Sequence, residues 1–163
     1  MRFLNGPVTR IAGSAIIACV AMAAFFAATL KIGKAAPQND TRWQTNYKQA
    51  LEQAAKQKKN VLLDFTGSDW CPYCIQMDKE VLSKPEFEAF AAENLVLVKL
   101  DFPRRKQLPP GEKEQNDRLG QRFSIEGYPT YILLDSTGKE VRRQVGYLEG
   151  GPKVFIRWAR VGS

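Results

Sequence analysis

Two cysteines separated by two residues, Cys71-Pro72-Tyr73-Cys74, follow an apolar run, Val61-Leu62-Leu63-Asp64-Phe65, after five intervening residues. The run reads as a buried strand, Thr66 to Asp69 as the turn after it, and Pro72 as the first turn of a helix. Two thiols are then one helical turn apart, so that they can close into a disulfide and reopen. Cys71 falls at the helix N-terminus. Unpaired backbone N–H groups and the positive end of the macrodipole favour a thiolate there, and thiols in such motifs have pKa values lowered to roughly 3.5–7.5. Cys71 is therefore the expected nucleophile. Cys74, expected to lie further in and to be the more buried of the two, would attack the mixed disulfide and release the reduced substrate.

Composition removes several other chemistries. The 163 residues are 44% hydrophobic and 25% charged, which suits a globular domain with a real core. The formal charge of +7 is concentrated at the start: residues 1–36 carry Arg2, Arg10, Lys31 and Lys34 and no acid, leaving 20 bases against 17 acids elsewhere. That balance is an ordinary solvated surface and argues against nucleic acid as a partner. With no histidine, imidazole base catalysis is excluded. Only Cys71 and Cys74 lie in the expected folded part, too few ligands for a zinc site, so no metal or other cofactor is expected.

Along the chain, Ile11 to Leu30 is twenty uncharged residues preceded by Arg2 and Arg10, long enough for a helix to span a bilayer core of about 30 Å. Residues 1–36 therefore read as a signal peptide or an N-terminal membrane anchor. Ala21-Met22-Ala23 and Gly33-Lys34-Ala35 have the small-residue spacing of cleavage sites. Ile16-Ile17-Ala18-Cys19 resembles a lipoprotein box, but the residues after it stay apolar, and Cys19 reads better as a small apolar residue of a membrane helix. Residues 37–42 form a polar linker, and 43–163 the domain.

Within the domain, helical spacing is expected over Thr45–Lys59, with Tyr47, Ala50, Leu51, Ala54 and Ala55 on the apolar face. The dithiol helix is expected to run from Pro72 to about Leu82 with Ile75, Met77 and Val81 inward. A further helix starts near Pro85, and Leu95–Phe102 is a strand with Lys99 inside it. Pro103–Gly111, with three prolines and several bases, is a loop. A plain connector is the simpler account of it, and a flap touching substrate or partner the sharper one. Glu112–Phe123 reads as a helix, Pro129–Asp135 and Glu140–Tyr147 as a hairpin around Ser136-Thr137-Gly138-Lys139, and the chain ends in a helix from Pro152.

This order resembles the thioredoxin superfamily, with the match running from about Trp43 to Val161. Trp70-Cys71-Pro72-Tyr73-Cys74 resembles the family's Trp-Cys-x-x-Cys site, and Gly127-Tyr128-Pro129-Thr130 its cis-proline loop. Asp64 and Lys99 stand on the two strands where the family places a buried aspartate and its lysine neighbour. Phe65-Thr66-Gly67-Ser68-Asp69-Trp70-Cys71 and the proline-bearing loop resemble exported bacterial thioredoxin-like proteins. The resemblance implies an α/β thioredoxin fold: a central mixed β-sheet flanked by helices, preceded here by the apolar N-terminal helix.

It also implies roles. A cis Pro129 would let the Tyr128 backbone pair with an extended substrate as an added strand, beside Thr130. A carboxylate on an apolar strand must be paired or protonated, so Asp64 would exchange a proton with Cys74 and Lys99 would supply the counter-charge. Asp64 as a cap on the turn at Thr66 or Gly67 is the alternative, left open because Asp64 precedes Cys71 by one residue more than in ordinary thioredoxins. Trp70 would shield the thiols and form part of the docking surface. Pro72-Tyr73 between the cysteines resembles glutaredoxins and influences redox potential, without implying use of glutathione.

The expected function is that of an exported thiol–disulfide oxidoreductase facing the periplasm or cell exterior, tethered to the membrane if residues 1–36 are retained. Its substrates would be protein disulfides or dithiols, and a membrane electron donor or acceptor would set its direction. Two alternatives differ in kind. One is a non-catalytic binding or assembly module with a structural Cys71–Cys74 disulfide; the other is a metallochaperone passing a soft ion such as Cu(I) through the two thiolates.

Overall fold

The computed structural model describes residues 43–160. The signal peptide or anchor expected at 1–36, Cys19, the linker at 37–42 and the final residues 161–163 lie outside the described residues. Among the described residues no helix is long and apolar enough to cross a membrane.

Helix α1 (Tyr47–Gln57) begins where the Asn46 side chain accepts the Gln49 N–H at 3.0 Å, and ends at Lys58 in the left-handed region. It leads into strand β1 (Asn60–Thr66), then α2 (Pro72–Met77), which continues as one π turn, Asp78–Leu82. The remaining elements are α3 (Pro85–Asn94), β2 (Leu95–Asp101), α4 (Pro110–Arg122), β3 (Thr130–Leu134), β4 (Glu140–Val145) and α5 (Gly151–Ala159). The sheet order is β2-β1-β3-β4, with β1 parallel to β2 and antiparallel to β3, and β4 antiparallel to β3. This is the mixed sheet that the resemblance implies.

Both faces of the sheet are covered, so β1 reads as a continuous apolar run rather than as an alternation. Val61, Leu63 and Phe65 pack with Val98, Ile132 and Leu134 against α1 and the Leu119–Phe123 end of α4. Leu62 points the other way, with Leu97, Tyr131 and Leu133, onto Met77 and Val81, Phe87 of α3 and Phe155 of α5. Asp64 shares the parity of Leu62. It therefore faces the layer that holds α2.

Three details depart from the sequence reading. The dithiol helix does not run regularly to Leu82, because a π turn follows Met77. Ile75 is not inward but 49% exposed: with Cys74 and Met77 defining the buried face three residues apart, position 75 is turned toward solvent. Ala55 is likewise on the exposed side of α1.

Candidate active site

The loop from β1 to α2 delivers the two cysteines, which are joined as a disulfide with Cα atoms 5.2 Å apart. Cys71 is the N-cap of α2, and its Sγ accepts the Cys74 N–H at 3.1 Å. Cys74 Sγ accepts the Gly67 N–H at 3.5 Å. Each sulfur thus faces a backbone donor that stabilises a thiolate when the bond is reduced. The two are equally buried, each 3% exposed, which corrects the expectation that Cys74 is the more buried. Between them Pro72 and Tyr73 are exposed, and the Tyr73 ring lies 6.3 Å from that of Tyr147. Tyr147 Oη in turn donates to Glu80 Oε2 at 2.6 Å, fixing the segment after β4 to the π turn.

Beneath α2, Asp64 is 2% exposed and its Oδ1 has no hydrogen-bond partner among the described residues. Burial pushes its pKa up to about 7; Lys99 pulls it down, and Asp78 and Asp101 push it further up. Asp64 sits mid-strand, paired with Lys99 on β2 and Tyr131 on β3, so it does not cap the turn. Lys99 is its register neighbour, but the ammonium reaches Asp78 Oδ1 at 3.5 Å and lies 5.4 Å from the Trp43 ring centroid. The charge acts on Asp64 across the sheet face without a direct bond.

The Tyr128–Pro129 bond is cis. Pro129 is buried, its carbonyl accepts the Gly146 N–H at 2.8 Å, and Thr130 Oγ1 donates to the Gly127 carbonyl at 2.7 Å. Among the described residues the Tyr128 backbone N–H and C=O make no such bond, which leaves both open to an extended chain. The Tyr128 ring packs edge-on against Trp70, centroids 5.7 Å apart, and lies 5.3 Å from Phe102. Trp70 is pinned in that wall. Its Nε1 donates to the Phe102 carbonyl at 2.8 Å, and the Arg104 guanidinium lies 3.6 Å from its ring centroid.

A family model described as a thioredoxin-like domain matches residues 47–160. The chain belongs to the thioredoxin-like family. It is 34% identical over 115 residues to the disulfide bond reductase DsbH of Chlamydia pneumoniae, covering 71% of this chain and 68% of that protein. It is 31% identical over 106 residues to the thiol:disulfide interchange protein DsbD of Actinobacillus pleuropneumoniae, covering 64% of this chain and 16% of DsbD. The second likeness is thus to one part of a much longer protein. Among solved structures a DsbH oxidoreductase superposes with a TM-score of 0.67 at 34% identity, covering 71% of this chain and 79% of that chain. The fold is the thioredoxin fold, and the protein is a thiol–disulfide oxidoreductase of this family.

The thioredoxin-like site here carries a second set of residues that the sequence did not single out. Asp69 accepts three consecutive backbone N–H groups, from Arg104, Arg105 and Lys106, at 3.0, 2.8 and 3.2 Å. These bonds, Arg104's first, hold its carboxyl below the usual range. Asp101 accepts from Ser68 N at 2.9 Å and Ser68 Oγ at 2.7 Å, and pairs with Lys106 Nζ at 2.7 Å. Burial pushes Asp101 up, but the bonds from Lys106 and Ser68 outweigh it and hold the carboxyl below its usual value. Behind this segment lies a cavity of about 530 Å³ lined by Phe102, Leu108 and Asn116 among others. An acid ending an apolar strand was a visible sign for Asp101; Asp69 carried none. Among the described residues no three His, Cys, Asp or Glu side chains gather as a metal site.

Proposed function

We propose that the chain is an exported disulfide reductase that acts on protein disulfides through the Cys71-Pro72-Tyr73-Cys74 dithiol. The observation that carries this reading is Cys71 at the N-cap of α2 with the Cys74 N–H directed at its sulfur, the arrangement that favours a thiolate at the attacking position. The name of the DsbH relative, a disulfide bond reductase, supports the direction.

In this reading the reduced Cys71 thiolate attacks one sulfur of a client disulfide. A Cys71–client S–S bond forms, the client S–S bond breaks, and one client thiolate leaves. The Asp64 carboxylate takes the Cys74 proton, with the Lys99 charge tuning its affinity for it. Cys74 then attacks Cys71 Sγ, closing the disulfide and releasing the second client thiolate. Two electrons have passed from the dithiol to the client. The free Tyr128 backbone beside Pro129 and Thr130 holds the client strand, with Trp70, Pro72 and Tyr73 forming the surface around the sulfurs.

Turnover requires an electron donor that reduces Cys71–Cys74 again. Arg2, Arg10 and the apolar run at 11–30 support export through a signal peptide or anchor at 1–36, a linker at 37–42, and a domain at 43–163 placed with a membrane donor. In this reading the two thiols carry the electrons themselves, and the step calls on no metal or organic cofactor. The test is an equilibrium titration of the Cys71–Cys74 couple against dithiothreitol. A potential near the thioredoxin value of about −270 mV supports a reductase, and one near −120 mV reverses the direction. A couple that dithiothreitol does not open would instead make the disulfide structural.

A further inference from the structure

The end of β2 and the segment that follows it are fastened to the three residues immediately before Cys71. Ser68 bonds Asp101, Asp69 takes the N–H groups of residues 104–106, and Trp70 holds the Phe102 carbonyl and the Arg104 guanidinium. A plain connector needs none of this. The clamp fixes the path of a basic arm, Arg104-Arg105-Lys106, beside the attacking cysteine, and the exposed side chains of Arg104 and Arg105 make no ion pair among the described residues. Lys106 is paired with Asp101. The Asp69 carboxylate is bonded to backbone donors, and the nearby Arg105 charge further favours its ionised form.

We propose that this arm is a specificity element that selects clients with acidic residues flanking the disulfide. The inference rests on Cys71 as the attacking thiol and adds the substrate class. Positive charge carried on a fixed stretch of backbone at the rim raises the encounter rate of an acidic client and lowers the ordering cost of meeting its carboxylates. Arg104 is stacked over the indole of the residue preceding Cys71, so a client strand paired with Tyr128 meets this guanidinium in the Trp70–Tyr128 wall. Arg105 extends the same charge outward. Steering of this kind changes rates by roughly ten- to a thousandfold at low ionic strength and fades with salt.

The experiment uses the reduced full chain in a non-ionic detergent. Three peptide disulfides of one sequence, with the residues on both sides of the cysteine set to Glu, Gln or Lys, are followed with a small neutral disulfide, bis(2-hydroxyethyl) disulfide. Consumption of the neutral compound, lost in Cys71→Ser, establishes the attacking thiol independently. If that fails, the reading of Cys71 has failed and the arm's role falls with it. With that established, the Glu peptide is expected to react about tenfold faster than the Lys peptide at low salt, the Gln peptide falling between, with the ratio shrinking in 0.5 M salt. Arg105→Glu is expected to bring the Glu-to-Lys ratio to about one or reverse it, and Arg104→Gln to lower it. Equal rates for the three peptides, or a Glu preference that both variants retain, would overturn the proposal.

Discussion

Asp64 and Lys99 stand opposite each other in the parallel pairing of β1 with β2, yet the lysine ammonium bonds Asp78 and the aspartate Oδ1 is left without a hydrogen-bond partner among the described residues. A buried carboxyl in this position is held mostly by desolvation, because its nearest cation is shared with an acid nearer the surface. Its pKa of about 7 follows from that arrangement. A group that changes charge near neutrality on the sheet face toward the dithiol helix fits the proton exchange with Cys74 proposed above.

The raised value carries a stability consequence whose sign is fixed. The folded protein holds the Asp64 proton more tightly than the unfolded chain does, so the folding advantage of that proton is full below the ordinary carboxylate value of 3.8 and is lost as pH rises through about 7. Asp64→Asn is neutral throughout. Its stability relative to the native chain is expected to climb between pH 4 and 7 and level off above, by on the order of 4 kcal/mol. Urea unfolding of both proteins at pH 4, 6 and 8 measures this, and a difference that stays constant with pH would contradict it.

The neighbours of Asp64 should move its titration in opposite directions. Lys99 pulls the value down, so Lys99→Met is expected to raise it above about 7. Asp78 pushes it up and also holds the Lys99 ammonium, so Asp78→Asn is expected to lower it on both counts. Carboxyl-carbon NMR of Asp64 across pH 4–10 reads each midpoint directly. Movement of both variants in the same direction would show that charge is not what links the three side chains.

The parts of this site that were legible in the sequence are those encoded by a local contradiction. Asp64 is an acid in an apolar run, Cys71 and Cys74 are two thiols at one-turn spacing, and Pro129 follows Gly127-Tyr128 and precedes a strand. Each breaks a pattern within a few residues of itself. The clamp on the basic arm has no such mark, since Ser68, Asp69 and Trp70 meet partners 32–37 positions away, and an aspartate in a turn is ordinary. Only the β1–β2 register brings them together. The relative burial of the two cysteines is not legible for a related reason: helix position suggests depth, but tertiary packing leaves Cys71 as buried as Cys74, each 3% exposed.

Asp69 offers a second pH-dependent feature of the opposite sign. Its carboxyl is held below the usual range by the N–H groups of Arg104, Arg105 and Lys106, so the ordering it gives the arm is present above the ordinary carboxylate value and is lost as pH falls through its lowered folded value. The amide resonances of these three residues are expected to titrate together in acid in the native protein. In Asp69→Ala they should lose that titration and exchange faster with solvent at neutral pH. Unchanged amide exchange in the variant would mean that the arm is held by Asp101 and Trp70 alone.

Gly67 tests how tightly Trp70 is seated. Its φ is not in the left-handed region, so the requirement for glycine is one of space: a Cβ there would lie 2.5 Å from Trp70 Cε2 and 2.7 Å from Nε1. The indole cannot yield freely, because Nε1 is bonded to the Phe102 carbonyl and the ring is flanked by Arg104 and Tyr128. Gly67→Ala must therefore displace the ring or the strand end that carries Gly67. Overpacking of this kind is expected to destabilise the fold by about 1–3 kcal/mol. The Trp70 indole N–H resonance should shift as its bond to Phe102 is lost, and a truncated Trp70→Leu side chain in the same background should recover part of the stability. An alanine variant as stable as the native protein, with the indole resonance unmoved, would show that the contact relaxes without breaking the wall.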